Sequence, residues 1–129
     1  MILPDTHAWI WWSHSPEKLS PNAKQAIGGE PDVLLSAISF REFGLLATRG
    51  RLELDKPPRA WLRDAMIHSG IRVVPVEQHM AEVAGGLGMD WDHRDPADRM
   101  IAATAIAKGC PLVTKDATMA SYPGLQTLR

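Results

Sequence analysis

The sequence predicts one α/β domain over residues 1–129, with a mainly parallel sheet covered by helices on both faces. A chain of 129 residues has the common size of a single domain, and a hydrophobic share of 45% is ordinary for a globular protein. Short apolar runs alternate along the chain with segments of helical period, which is the pattern of successive β-α units. Such units arrange their strands in parallel, and their helices form the outer layers.

Apolar runs that are too short for helices predict the strands. The first run opens the chain and ends at Asp5. Later runs cover residues 33–35, 71–74 and 112–114, and each is bounded by polar, glycine or proline residues. Residues 125–128 are expected to add a short strand at the edge of the sheet.

Cap residues predict where two important helices begin. Thr6 is expected to cap a helix over residues 7–12, directly after the first strand. Ser39 and Glu42 form the Ser-x-x-Glu pattern of a capping box, which predicts a helix that runs to Gly50. Both helices therefore start close to an acidic residue.

Proline, glycine and apolar periodicity predict the remaining helices. Two of them begin with a proline that follows a capping residue and end near a glycine. The first begins at Ser20-Pro21 and stops at Gly28-Gly29, and the second begins at Asp95-Pro96 and runs to Lys108, with Gly109 after it. Apolar stripes of helical period predict two more, at residues 61–66 and at residues 77–87, the latter closed by Gly88 and followed by a loop over residues 89–94.

Composition and charge exclude several classes of protein. The single cysteine, Cys110, is expected to be a small buried residue, because it has no second thiol for an internal disulfide or a zinc site. No apolar run approaches the ~20 residues of a membrane span, and the chain start lacks the pattern of a signal peptide, so a cytoplasmic location is expected. A net charge of −1 argues against a protein that mainly holds nucleic acid by its phosphates.

Four acidic residues are expected to meet at one edge of the sheet. Asp5 and Asp116 directly follow two strands, and ligands of parallel sheets bind beyond such strand ends. Glu42 and Asp98 lie in the first turns of two predicted helices near the same edge. Carboxylates that converge repel one another unless a cation holds them, and oxygen ligands favour hard ions such as Mg²⁺. This chemistry suits phosphodiester hydrolysis.

Each acid also has a purely structural explanation, and these alternatives stay open at the level of sequence. Asp5 could assist a helix N-terminus, Glu42 could serve the capping box, and Asp98 could be a first-turn acid favoured by the helix dipole. Asp116 could be a turn residue.

The motifs around these acids resemble those of PIN-domain nucleases, and more narrowly those of VapC-like toxins from prokaryotic type II toxin–antitoxin systems. The resemblance runs from end to end, in matching order and spacing. It is carried by Leu3-Pro4-Asp5-Thr6-His7-Ala8-Trp9, Ser36-Ala37-Ile38-Ser39-Phe40-Arg41-Glu42, Gly50-Arg51-Leu52, His93-Arg94-Asp95-Pro96-Ala97-Asp98-Arg99 and Leu112-Val113-Thr114-Lys115-Asp116. Pro4 departs from the family pattern and is expected to shorten or bend the first strand at its end without affecting the acids.

The resemblance implies a PIN-like three-layer α/β/α sandwich and a metal-dependent endoribonuclease. It implies that Asp5, Glu42, Asp98 and Asp116 are catalytic residues and ligands of Mg²⁺ or Mn²⁺. It further implies RNA as substrate, neutralisation by a cognate VapB-like antitoxin, and a homodimer.

Residues beside the motifs are weaker candidates. Asp95 matches an acid found beside the site in this subgroup, although helix capping explains it equally well. The hydroxyls of Thr6 and Thr114 could position water or phosphate, or satisfy backbone groups. Cations that flank the acids could accept phosphate or could simply be solvated: Arg41, Arg94, Arg99 and Lys115. Structural or supporting roles are favoured for His7 and His93, because metal-site spacing is absent.

The tryptophans divide between core and surface in this interpretation. Trp9 and Trp12 are expected in the core, whereas Trp11 is a candidate anchor for an antitoxin helix.

Competing functions are a degenerate PIN domain that only binds partners, a housekeeping RNA-processing nuclease, or phosphotransfer through an aspartate. The last would need a second acid close to Asp5, and His7 stands two residues later.

Overall fold

The computed structural model describes residues 1–87, 91 and 93–129, and these residues alternate between strands and helices as predicted. The strands are β1 Leu3–Pro4, β2 Leu34–Ser36, β3 Arg72–Val74, β4 Leu112–Val113 and β5 Thr127–Leu128. The helices are α1 Thr6–His14, α2 Pro21–Gly29, α3 Ile38–Thr48, α4 Pro58–Ile67, α5 Gln78–Gly86, α6 Pro96–Lys108 and α7 Ala117–Ala120, with a 3₁₀ turn at Pro16–Lys18.

The strands form a parallel arrangement in the order β3-β2-β1-β4-β5. β1 pairs with β4, β4 with β5, and β2 with β3, all in parallel. A parallel bridge between Ile2 and Val33 joins the two groups of strands. The predicted α/β class and parallel sheet are confirmed, and so is the short edge strand near the C-terminus.

Pro4 ends β1 at the position where the site begins. In the register of β1 and β4, Leu3 pairs with Leu112 and Pro4 with Val113. The amide of Asp5 then donates to the carbonyl of Val113 at 2.9 Å, so the backbone of the acid is held against β4. Pro4 is therefore accommodated within β1, and that it shortens or bends the strand stays a prediction.

Two predicted helix caps are wrong, and for a common reason. Asp5, not Thr6, caps α1, because its carboxylate accepts from the amide of Ala8. Ser39 lies inside α3, which begins after Ala37 without a side-chain cap, so Glu42 is not the partner in a capping box. The hydroxyl of Thr6 instead donates to that of Ser39 at 2.9 Å, in a buried bond between the two helices. This tertiary contact outweighs the local capping preference.

The other predicted boundaries agree with the structure to within a few residues. Ser20 caps α2 and Asp95 caps α6, each before a proline, and Gly109 ends α6. The predicted end of α5 at Gly88 lies outside the described residues. The same holds for residues 89, 90 and 92 of the predicted loop. The short helix α7 was not predicted.

The core holds most of the tryptophan rings and the alanine-rich stretch of α6. Trp9 is fully buried and packs against Phe43 and Trp61, as predicted for the core. Trp12 is half-buried against a neighbouring apolar cluster. Cys110 is also buried, as expected. Every helix in the described part of the chain falls short of the length and apolarity that a membrane crossing requires.

Two glycines are expected to respond to alanine substitution with opposite signs. Gly109 has φ 63°, so Gly109→Ala should lower the free energy of unfolding by about 1 kcal/mol, because an L-residue is strained there. Gly44 lies within α3, and Gly44→Ala should raise it by about 0.5–1 kcal/mol. A Cβ at either position meets nothing within 4 Å, so steric contact does not obscure the comparison. Urea unfolding measures both; changes of the same sign would contradict these backbone assignments.

Candidate metal and active site

The four predicted acids line one cavity at the carboxyl ends of the central strands. Asp5 follows β1 and Asp116 follows β4, and these two strands are neighbours. Glu42 projects from α3 and Asp98 from α6. The cavity has a volume of 440 Å³, and we call it the acid cavity; it is lined by Asp5, Thr6, His7, Trp11, Glu42, Asp95, Asp98, Lys115 and Asp116.

Asp5 is the most buried of the four acids. One of its carboxylate oxygens accepts from the amide of Ala8 at 2.8 Å, and the other accepts from the hydroxyl of Thr114 at 2.5 Å. Burial raises the pKa of the Asp5 carboxyl above its usual range, although these two hydrogen bonds oppose the shift. The carboxylate is therefore held in one orientation at the floor of the cavity.

Thr114 connects the two acids that follow the strands. Its buried hydroxyl donates to Asp5 and accepts from the amide of Asp116 at 3.0 Å. The carboxylate of Asp116 in turn accepts from the amide of Thr118 at 2.8 Å and caps α7. The hydroxyl thus satisfies a backbone group, one of the two roles considered for it, and also a side chain, which was not foreseen; its role toward water or phosphate stays a prediction.

Replacing this hydroxyl should disturb both acids. Thr114→Val keeps the shape of the side chain but removes a donor to Asp5 and an acceptor for Asp116, so we expect about 1–3 kcal/mol lower stability. RNA cleavage, the activity that the resemblance to PIN-domain nucleases implies, should fall about 10-fold, because the carboxylates lose their fixed positions. Thermal unfolding and cleavage rates measure the change. Thr118→Val, at an exposed position in α7, is the matched control, and equal effects of the two substitutions would refute a positioning role for Thr114.

Asp98 is held by a histidine and faces like charges. Its carboxylate lies 2.6 Å from Nε2 of His93. Burial raises the pKa of Asp98; the His93 bond lowers it, whereas the charges of Asp95 and Asp116 raise it further. The supporting role favoured for His93 agrees with this contact.

Glu42 and Asp95 complete the acidic wall. The pKa of Glu42 is raised first by burial and then by the charges of Asp95 and Asp98, while Arg41 and His7 oppose the shift. Asp95 caps α6 by accepting from the amides of Ala97 and Asp98, so its capping role is established, but its charge also faces the cavity.

Two overlapping sets of side chains could hold a cation. Ligand atoms of Glu42, Asp95 and Asp98 lie within 4.8 Å of one another, and the same is true of His93, Asp98 and Asp116. Asp98 belongs to both sets, and carboxylate oxygens predominate, which suits Mg²⁺ or Mn²⁺. The donor chemistry therefore fits the predicted metal. Asp95 and His93 therefore belong to candidate ligand sets in which the sequence analysis did not place them. The signal for His93 was its position five residues before Asp98.

The neighbouring cations have different roles. Lys115 lines the acid cavity, and its Nζ lies 5.2 Å from the ring centroid of Trp11. Arg99, for which phosphate contact and solvation were both left open, donates to the backbone carbonyls of Ala84, Leu87 and His93. Its guanidinium makes four such hydrogen bonds with its five N–H donors, so it mainly holds the chain before α6. Arg41 and Arg94 are exposed, and their contact with RNA stays a prediction.

A family model described as PIN domain matches residues 2–125. The chain therefore belongs to the PIN-domain family. It is 39% identical over 121 residues to Ribonuclease VapC22 of Mycobacterium tuberculosis, a match that covers 94% of this chain and 91% of that protein.

Solved structures agree on the fold. VapBC2 from Rickettsia felis, bound to a promoter DNA fragment, superposes with a TM-score of 0.74 at 15% identity and covers 99% of this chain and 98% of that one. A toxin-antitoxin complex from Klebsiella pneumoniae superposes with a TM-score of 0.69 at 22% identity. The match covers 100% of this chain and 97% of that one.

Proposed function

We propose that this chain is a metal-dependent endoribonuclease toxin that hydrolyses RNA phosphodiester bonds in the acid cavity and is neutralised by a cognate antitoxin. The observation that carries the proposal is the convergence of Asp5, Glu42, Asp98 and Asp116 on that cavity. Its supports are the 39% identity to a protein named as a ribonuclease and the fold shared with a toxin-antitoxin complex.

The four acids, with Asp95 and His93 beside them, would hold Mg²⁺ or Mn²⁺. When bound, such an ion lowers the pKa of its water and offsets the charge that develops on the phosphoryl group. The chain's own residues prepare this site: Thr114 orients Asp5, and His93 orients Asp98. Lys115 supplies a positive charge that offsets the repulsion between the acids and a phosphodiester.

The raised pKa values argue against a degenerate domain that only binds partners. Burial and mutual repulsion disfavour the ionised forms of Asp5, Glu42 and Asp98, and this arrangement destabilises the folded chain without a cation. A binding scaffold gains nothing from such strain. A housekeeping RNA-processing nuclease would use the same acids, so geometry alone does not separate it from a toxin.

Control by an antitoxin follows from the shape and charge of the acid cavity. An inserted arginine or lysine would meet several carboxylates at once, and Trp11 offers a half-buried ring at the wall for an apolar side chain beside it. Such a segment would occupy the positions that a metal and a phosphodiester need. We also propose a homodimer and a cytoplasmic location, in line with the VapC-like resemblance.

Expression in a host bacterium tests the toxin. Wild-type chain should stop growth and bulk translation, whereas Asp98→Asn at the same soluble level should not. Co-expression of the cognate antitoxin, which we expect a short neighbouring reading frame to encode, should restore growth, and the antitoxin should copurify. Unchanged growth with soluble, metal-replete protein, together with no copurifying partner, would refute the toxin and favour the housekeeping nuclease.

A further inference from the structure

A second cavity runs from the acid cavity along one face of α1. We call it the basic groove; it has a volume of 370 Å³ and is lined by His7, Ile10, Trp11, His14, Ser15, Lys18, Arg51, Leu52, Glu53 and Leu54. The α1 residues recur at i, i+3, i+4 and i+7, so they form a floor about 10 Å long. The 3₁₀ turn and the loop after α3 form the walls.

The two cavities meet at a shared wall. His7 and Trp11 line both of them, and their ring centroids lie 5.7 Å apart. Lys115 lies over the Trp11 ring, and its ammonium donates to the backbone carbonyl of Lys18 in the basic groove. A chain that leaves the acid cavity along α1 therefore passes aromatic rings and then enters the groove.

The charge changes sign between the two cavities. Five carboxylates and Lys115 line the acid cavity, whereas Lys18 and Arg51 line the basic groove with Glu53. Both of these cations are exposed. A polyanion repelled at the acid cavity would find compensating charge only a short distance along α1.

We propose that the basic groove binds the RNA strand adjoining the scissile phosphodiester, with Lys18 and Arg51 on its phosphates and Trp11 or His7 against a base. The inference rests on the proposed nuclease function. Single-stranded RNA is bound by cationic grooves interleaved with aromatic rings, and these features coincide here. An acidic protein segment would also suit the charge, but RNA is favoured because the groove shares the wall formed by His7 and Trp11 with the cavity where we propose that the phosphodiester reacts.

Neutral substitutions of the two cations test the groove. Lys18→Gln and Arg51→Gln should each raise the KM for cleavage of a single-stranded RNA about 5-fold and leave kcat within about twofold, since the acids are untouched. Each should also reduce the magnitude of the salt slope of binding by about 0.7, the value for one phosphate contact on a single strand. Lys24→Gln in α2 and Arg59→Gln in α4, both at exposed positions, are the matched controls.

Binding measured without cleavage separates this inference from the nuclease proposal. Anisotropy of a fluorescein-labelled 12-nucleotide RNA in EDTA should show weaker binding and a shallower salt slope for both groove variants than for the controls. Wild-type affinity and slope in the groove variants would overturn the inference, even if the chain cleaves RNA. Unchanged RNA binding with loss of a copurifying protein would also overturn it and assign the groove to that partner. Failure of wild-type chain to cleave RNA in Mg²⁺ or Mn²⁺ would overturn the nuclease proposal and, with it, this inference.

Discussion

Chelation with EDTA should abolish RNA cleavage by this chain, and excess Mg²⁺ or Mn²⁺ should restore it. The acid cavity holds carboxylates where we propose that the phosphodiester binds, and without a cation these groups should repel the substrate. The only lysine among the residues that line the cavity in the described structure is Lys115, and one ammonium does not compensate for five carboxylates. The expected loss is therefore complete within the sensitivity of a gel assay.

Added metal should also stabilise the fold. A ligand at 100 times its dissociation constant raises the free energy of unfolding by about 2.7 kcal/mol, so the melting temperature should rise with Mg²⁺ or Mn²⁺. Highly purified chain that cleaves RNA fully in EDTA would rule out the metal-dependent mechanism. A melting temperature that neither ion changes would rule out the proposed metal site.

Glu42→Gln should lose activity while it gains stability in metal-free buffer. Activity should fall at least about 100-fold, because a carboxylate that helps to place the cation is replaced by a neutral amide. The pKa of Glu42 is raised by burial and by neighbouring acids, so at neutral pH its ionised form penalises the folded state but not the unfolded state. Removing that charge should therefore raise the melting temperature in metal-free buffer.

The stability advantage of Glu42→Gln over wild type should decrease when metal is added. With Mg²⁺ or Mn²⁺ present, Glu42→Gln should gain less stabilisation than wild type, because one ligand is missing. Glu17→Gln, at an exposed position on the 3₁₀ turn, is the matched control and should leave both activity and stability near wild type. A fall in melting temperature without metal would mean that the Glu42 carboxylate supports the fold rather than strains it.

Asp5→Asn should also abolish cleavage, but its effect on stability should differ. Two donors converge on the Asp5 carboxylate, from Thr114 and from the amide of Ala8. In asparagine one of the two acceptor oxygens becomes an NH₂ donor, so either the amide of Ala8 or the hydroxyl of Thr114 loses its acceptor. Relief of charge repulsion is therefore offset by a lost hydrogen bond, and the melting temperature should rise less than for Glu42→Gln.

Local sequence determined the order of strands and helices along the chain and the parallel arrangement of the strands. It also determined which separate segments carry the acids. Asp95 with Pro96, and Ser20 with Pro21, predict helix starts correctly because N-capping uses atoms within three residues of each other. Asp5 and Asp116 were placed correctly because a short apolar run followed by an acid marks a strand end, and parallel strands end at the same edge.

The tertiary structure decided which side chains satisfy one another, because those partners lie far apart in the chain. Thr6 and Ser39 form a hydrogen bond with each other and do not cap the helices as their local sequence predicts, since a buried hydroxyl requires a partner. Thr114 reaches Asp5 across 109 positions of sequence, which no local pattern encodes. Arg99 lies beside an acidic motif, yet its guanidinium donates to backbone carbonyls. These carbonyls need hydrogen-bond donors once they are buried in the folded chain, and the local sequence does not show that need.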